Sequence, residues 1–197
     1  MKPVVVVTGT ALPLDRADVD TDQIIPSDWL KRVERTGFGA GLFAEWRDDR
    51  DFVLNHPEHG SARILLAGAN FGIGSSREHA VWALQDYGFE AVVSPKIADI
   101  FRNNSIKQGL LPVQVTPEVG RHLMDAVLAD PSLELTIDVA RGTIEAPAAG
   151  IAGEFPLDEF TRERLLNGWD DIGLTLRHDA DIDRYERTRA DWLPVTG

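Results

Sequence analysis

Residues Gly72 to Ala80 read GIGSSREHA, a short stretch holding two glycines, two serine hydroxyls, a guanidinium, a carboxylate and an imidazole. Ser75 and Glu78 are three apart, immediately before an apolar helical pattern. That is the S-x-x-E capping box, so the stretch reads first as a helix start, with Gly72 and Gly74 permitting a tight turn. Capping leaves Arg77 and the second hydroxyl, Ser76, unexplained. A helix N-terminus offers free N–H groups and partial positive charge, and Ser75 or Ser76 placed there beside Arg77 forms a receptor for a carboxylate. The same surroundings favour an ionised serine. Each unit of pKa lowering requires about 1.4 kcal/mol, so substrate, arginine and dipole would have to act together. The stretch lacks the Gly-Lys-Ser/Thr of a Walker phosphate cradle, and Arg77 stands where a dinucleotide fingerprint needs its third glycine.

Two further constellations carry chemistry. DVDTDQIIP, Asp18 to Pro26, places acids at alternate positions but lacks the glycine and terminal glutamate of a calcium loop. Phe101 to Pro112, FRNNSIKQGLLP, ends a helix at a dense set of donors that also reads as a polar turn stopped by Gly109. His56 and His59 read as part of a polar loop, since their spacing alone is weak evidence for a metal site.

The elements that must position these residues alternate. Val4 to Val7, Arg63 to Ala67, Ala91 to Ser94 and Leu111 to Val115 read as strands. Ser76 to Tyr87 is a helix with Gly88 as its stop, and Ile97 to Asn104 is a second, shorter one. The middle of the chain is therefore α/β. Glu118 to Ala129 follows as a helix, then Leu133 to Val139 and Thr143 to Ala146 form a hairpin around Ala140-Arg141-Gly142. Phe160 to Asn167, Asp171 to Arg177 and Ile182 to Arg189 make a C-terminal helical section. Ser27 to His59, rich in glycine, aromatics and charge without periodicity, reads as a functional loop region that is mobile without a partner.

The 197 residues, 43% of them hydrophobic, can bury one substantial core, and no linker or repeat divides them, so residues 1–197 read as a single domain. A net charge of -12 disfavours nucleic acid, whose binding depends on lysine and arginine displacing counterions. The apolar start, Met1 to Val7, is too short for a signal peptide, and no stretch reaches membrane-spanning length, which places the protein in the cytoplasm without a membrane partner. There is no cysteine, so this chain alone can hold neither a disulfide nor a thiolate-ligated metal or iron-sulfur cluster.

Together and in this order, DVDTDQIIP, NFGIGSSREHA and IADIFRNNSIKQGLLP resemble the small subunits of 3-isopropylmalate dehydratase, in the aconitase superfamily. LLNGWDDIGLTL is similar to that family's C-terminal helix. The resemblance implies a swivelling β/β/α domain like the aconitase C-terminal domain. It also implies a hetero-oligomer with a separate large subunit that carries a 4Fe-4S cluster on three cysteines. The missing thiols agree with assignment to the half without the cluster.

By resemblance, Ser75 is the base that removes and returns the carbon-bound proton, Arg77 binds a substrate carboxylate, and Asp22 faces the same cleft. Thr21 and Ser76 belong with them as substrate-binding residues. For Glu78 and His79 the structural reading stands, as capping partner and as a hydrogen-bonded helix residue. The implied reaction interconverts 2-isopropylmalate and 3-isopropylmalate by dehydration and rehydration through isopropylmaleate, a step of leucine biosynthesis. No cofactor is expected on this chain. Specificity for an isopropyl group over a carboxylate arm needs an apolar contact, for which Leu30 is the candidate, although Trp29-Leu30-Lys31-Arg32 offers both chemistries. Trp29 and Leu30 read equally well as packing in the domain's own core. The alternatives are a related hydro-lyase subunit acting on homoaconitate, citraconate or dimethylmalate, and a dicarboxylate-binding module without catalysis.

Overall fold

The computed structural model describes residues 1–31, 36–190 and 192. The strands are β1 (Val6–Leu14), β2 (Ile64–Ala67), β3 (Ala91–Ser94), β4 (Leu111–Gln114), β5 (Glu134–Asp138), β6 (Thr143–Ala146) and β7 (Ile151–Glu154). They form a 7-stranded sheet in the order β4-β3-β2-β1-β5-β6-β7. The helices are α1 (Thr21–Ile24), α2 (Ala44–Arg47), α3 (Glu78–Tyr87), α4 (Asp99–Gln108), α5 (Pro117–Ala129), α6 (Glu159–Asn167), α7 (Asp171–Leu176) and α8 (Asp179–Thr188). The last three are the C-terminal helical section expected from the sequence.

β1 joins two kinds of sheet. Its first half runs antiparallel to β5, from Val6 opposite Asp138 to Thr10 opposite Glu134, and its second half runs parallel to β2, from Ala11 opposite Ile64 to Leu14 opposite Ala67. The residue patterns differ accordingly. β2 and β3 are buried at every position, as parallel strands covered on both faces must be. β5 and β6 alternate buried with less buried residues, since one face only meets the core.

Successive side chains along the parallel strands enter opposite cores. Leu65 and Val92 pack with Ala80, Val81, Ala83 and Leu84 of α3. Ile64, Leu66 and Val93 pack with Leu123, Met124 and Val127 of α5. The helix α3 and the loops that hold the serine stretch are thereby fixed to one face of the sheet.

Several elements depart from the sequence reading. The first strand starts at Val6 and continues to Leu14 instead of stopping at Val7. Its Pro13 lies past the β5 pairing, where the strand has a neighbour on one side only, so the missing N–H breaks no ladder. The strand β7 follows the expected hairpin and has no counterpart in the sequence reading, because Ile151-Ala-Gly-Glu is too short to show a pattern. The helix α4 starts at Asp99 and runs on to Gln108, through residues that look like a polar turn. There the fully buried Ser105 donates to the Phe101 carbonyl at 2.8 Å, which lets a hydroxyl sit inside a helix facing the core.

The described residues between 27 and 59 are irregular as expected, with single 3-10 turns and the one-turn α2. Its aromatics are core, however: Phe38, Leu42 and Phe43 are fully buried, and Phe43 stacks on Trp46 with ring centroids 5.3 Å apart. His59 also departs from a polar loop, being 5% exposed. Arg32 lies outside the described residues.

Candidate functional site

The loops carrying the predicted site leave the sheet at the C-terminal ends of two neighbouring parallel strands, β1 and β2. That edge is where open α/β sheets gather their ligand-binding loops. Backbone bonds lace the two together. Asp18 N–H donates to the Ala69 carbonyl at 2.8 Å, Gly72 N–H to that of Val19 at 2.7 Å, and Thr21 N–H to that of Ile73 at 2.9 Å. Asn70, at φ 60°, adds a side-chain donation to Asp18 at 2.7 Å.

The three alternate acids do three different jobs. Asp18 accepts from Asn70. Asp20 is the N-cap of α1: its side chain accepts from the Gln23 N–H at 2.7 Å, while Gln23 accepts from the Asp20 N–H at 2.9 Å. This reciprocal pair is a capping box. Asp22, in the first turn of the same helix, pairs with Arg77. Among the described residues no group of three or more His, Cys, Asp or Glu is placed to hold a metal ion.

The capping box expected at Ser75 and Glu78 does not form. α3 begins at Glu78, with Arg77 at the N-cap and no side-chain cap bond. Ser75 instead belongs to the loop: its carbonyl accepts from the Arg77 N–H at 2.9 Å, and its hydroxyl lies 3.1 Å from that of Thr21. Thr21 also donates to the Ser75 carbonyl at 3.1 Å. The turn around Ser75 depends on Gly72 and Gly74, at φ +76° and +94°. At Gly72 a Cβ would lie 2.4 Å from the Phe101 ring, so both backbone angle and space demand glycine.

The structure thus brings Thr21, Asp22, Ser75 and Arg77 together from two loops. Thr21 is 1% exposed, and its hydroxyl meets the carbonyl and the hydroxyl of Ser75. Ser75 and Ser76 are exposed, and the Ser76 side chain points at no partner among the described residues. Arg77 is half-buried; besides Asp22 it meets the Ile25 carbonyl at 3.4 Å. Leu30 is half-buried and packs against the core on the α3 face of the sheet, joining this group through no described contact. His79 presents its ring to Trp82 at 4.6 Å and to Phe38 at 5.3 Å, which makes it an aromatic-cluster residue, and among the described residues it has no hydrogen-bond partner. The sequence reading missed the brace residues Asp20 and Asn70. Asp-x-x-Gln ahead of Ile24 was the available signal for the first.

The arrangement offers a hydroxyl and a guanidinium on an open rim. A cavity of about 930 Å³ exists elsewhere, between the N-terminal segment, α3 and α6–α7, lined among others by Met1, Gln85, Lys107 and Arg164. Neither Ser75 nor Arg77 lines it. The serine loop thus lies on the open surface, outside that cavity.

Residues 1–118 match the family model of the aconitase C-terminal domain, and residues 171–194 match that of the C-terminal domain of 3-isopropylmalate dehydratase small subunits. Among similar proteins, the 3-isopropylmalate dehydratase small subunit of Frankia casuarinae is 62% identical over 96% of each chain. That of Rubrobacter xylanophilus is 59% identical over 98% of each. The crystal structure of 3-isopropylmalate dehydratase from Methanocaldococcus jannaschii aligns with a TM-score of 0.67 at 27% identity, covering 91% of this chain and 99% of that one. Together with the serine and arginine site built from two loops, these likenesses place the chain in the aconitase superfamily: it belongs to the family of 3-isopropylmalate dehydratase small subunits.

Proposed function

We propose that this chain is the proton-transferring half of a hydro-lyase that interconverts 2-isopropylmalate and 3-isopropylmalate through isopropylmaleate. The observation that carries the reading is the convergence of Ser75, Arg77 and Asp22 on one open rim. Ser75, exposed and backed by Thr21, takes the carbon-bound proton in dehydration and returns it in hydration. Arg77 clamps a substrate carboxylate, and Asp22 sets the direction of its guanidinium. Ser76 lies beside Ser75 on the exposed rim and takes a second polar contact to the substrate. Leu30, half-buried against the core of its own domain, is the residue to which the reading assigns the alkyl contact that selects isopropyl over a carboxylate arm.

The residues of this chain do not fit an iron-sulfur cluster, since the sequence has no cysteine. The reading assigns a 4Fe-4S cluster to a large subunit that closes the open side of the rim, and leaves proton transfer and carboxylate binding to the side chains named above. It takes residues 1–197 as one domain, supported by a single sheet that draws strands from Val6 to Glu154. It places the enzyme in the cytoplasm, with a small dicarboxylate as ligand and neither nucleic acid nor membrane as partner. Consistent with the last point, no helix among the described residues is long and apolar enough to cross a membrane.

The test is anaerobic isopropylmaleate hydration, followed by ultraviolet absorbance, with this chain alone, a cluster-loaded large subunit alone, and the two mixed. Turnover in the mixture only is the expected result. A stable complex without turnover on isopropylmaleate, but with turnover on a homologue bearing a carboxylate arm, would move the substrate to the related hydro-lyases. Tight dicarboxylate binding by this chain alone and no complex would leave a binding module.

A further inference from the structure

Resting on the reading of Ser75 as the base, we propose that Thr21 is a positioning residue that selects the ionised form of Ser75. Thr21 is 1% exposed, so it cannot meet a substrate directly. Its hydroxyl sits 3.1 Å from the Ser75 carbonyl and 3.1 Å from the Ser75 hydroxyl. A threonine hydroxyl has one hydrogen and two lone pairs, and a carbonyl only accepts. With that hydrogen on the Ser75 carbonyl, the contact between the two hydroxyls has Ser75 donating to Thr21.

Ionisation reverses this pattern. When the Ser75 proton leaves to solvent, the Ser75 oxygen becomes an acceptor, and the Thr21 hydrogen turns from the carbonyl to the alkoxide. No covalent bond of Thr21 forms or breaks. When Ser75 then takes the substrate's carbon-bound proton, the C–H electron pair forms the new C=C bond and the hydroxyl on the adjacent carbon leaves with its own pair; the Ser75 O–H again donates to Thr21 and the Thr21 hydrogen returns to the carbonyl. One buried hydroxyl therefore serves both protonation states without moving a heavy atom, which is the kind of fixed donor that stabilises developing charge at little reorganisation cost.

The frame around Thr21 is rigid enough for this role. Its own N–H is held by the Ile73 carbonyl at 2.9 Å, and Asp20 and Ile73 form a parallel bridge. The charged and titratable groups on the segments meeting at Ser75 are Asp18, Asp20 and Asp22 on one, and Arg77, Glu78 and His79 on the other, with Asp18 taken up by the Asn70 side chain. Asp20 is committed to its cap, Asp22 and Arg77 to each other, and His79 to its aromatic neighbours. Glu78 is exposed in the first turn of α3. Among the described residues Thr21 provides the hydrogen bond to the Ser75 hydroxyl.

The experiment measures kcat, KM and the pH dependence of kcat for dehydration of 3-isopropylmalate to isopropylmaleate by the two-subunit enzyme, the direction in which ionised Ser75 takes the proton, comparing the parent with Thr21→Val, Thr21→Ser, Thr21→Cys and Ser75→Ala. Thr21→Val keeps the shape and removes the donor. It is expected to lower kcat on the order of 100-fold, leave KM within about twofold of the parent, and move the limb for the ionised base to higher pH. Thr21→Ser restores both kcat and the limb. Thr21→Cys, a weaker donor, falls between, and it decides the matter if the valine variant does not fold. A valine or cysteine variant with parental kcat and limb overturns the proposal, as does a raised KM with kcat and limb unchanged. Turnover retained in Ser75→Ala sinks the base reading itself. An inactive Ser75→Ala beside a normal Thr21→Val sinks only the role of Thr21.

Discussion

Arg77 and Asp22 form an ion pair between the loops after β2 and β1, with their side chains 20% and 59% exposed. The second described contact of the guanidinium, to the Ile25 carbonyl, goes to the same segment. The arginine is thus aimed by the neighbouring loop, while its own loop supplies only the tether. Asp22→Asn keeps the shape and removes the charge. The expected result is a loss in kcat/KM of about 10- to 100-fold, since a hydrogen bond to a charged group contributes roughly 1.5–3 kcal/mol. Thermal stability should change little, because a pair whose acid is this exposed contributes less than about 1 kcal/mol. Steady-state kinetics and a melting curve on the same preparation separate the two, and an unchanged kcat/KM would show that Arg77 needs no such partner.

The capping box at Asp20 and Gln23 predicts an asymmetry between two loop residues. Asp20→Ala removes the bond to the Gln23 N–H and should cost about 1 kcal/mol of stability. Because α1 carries Thr21 and Asp22, activity should fall with it. Ser75→Ala removes no cap and should leave stability within about 0.5 kcal/mol of the parent while removing turnover. Chemical denaturation of the isolated chain checks both. A Ser75→Ala variant that loses as much stability as Asp20→Ala would mean that the serine stretch caps its helix after all.

Much of this is legible in the sequence, and the misses have physical reasons. β2, β3 and β4 are short apolar runs bounded by turn residues, so burial alone announces them. The serine stretch stands out in the sequence as a candidate because glycine, serine and arginine together exceed what a helix start needs. The capping assignment fails because Ser75 has a competing partner in Thr21, distant in sequence, and local patterns cannot register a tertiary hydrogen bond. The extent of β1 is hidden because Pro13 looks like a strand breaker to a reader who cannot see that β5 stops short of it. The aromatics between 27 and 59 lack period since single 3-10 turns impose none, yet Phe38 and Phe43 are as buried as any strand residue.

Gly72 offers a test of the loop's backbone. Its φ of +76° is costly for any other residue, and an alanine Cβ would lie 2.4 Å from the Phe101 ring, a side chain itself held edge-on to Phe71 at 5.3 Å. Gly72→Ala should destabilise the chain by about 2–4 kcal/mol, combining backbone strain with overpacking. Removing the obstructing Cγ and Cδ1 with Phe101→Ala in the same chain should recover part of that loss, because the steric component is shared between the two positions. Additive losses in the double variant would show that the cost lies in the backbone angle alone.

His59 predicts how stability depends on mild acid. It is 5% exposed, and among the described residues its buried Nδ1 has no hydrogen-bond partner. Burial pushes its pKa below the ordinary 6.5, with the charge of Glu58 opposing the shift. In the unfolded chain the imidazole takes a proton near its ordinary value, whereas in the fold it resists until lower pH. The unfolded state therefore binds more protons between the two values, and stability must fall as pH drops through that window. The contribution is fully present above about pH 6.5. Carboxylates such as Asp138 and Asp158, held below their usual range chiefly by backbone N–H donors, lose their contribution only at more acid pH. Denaturant midpoints taken from pH 7.5 to 5 should slope downward in the parent. The slope should flatten in His59→Gln, which keeps polarity but cannot take up the proton. An equal slope in both chains would assign the acid sensitivity to some other group.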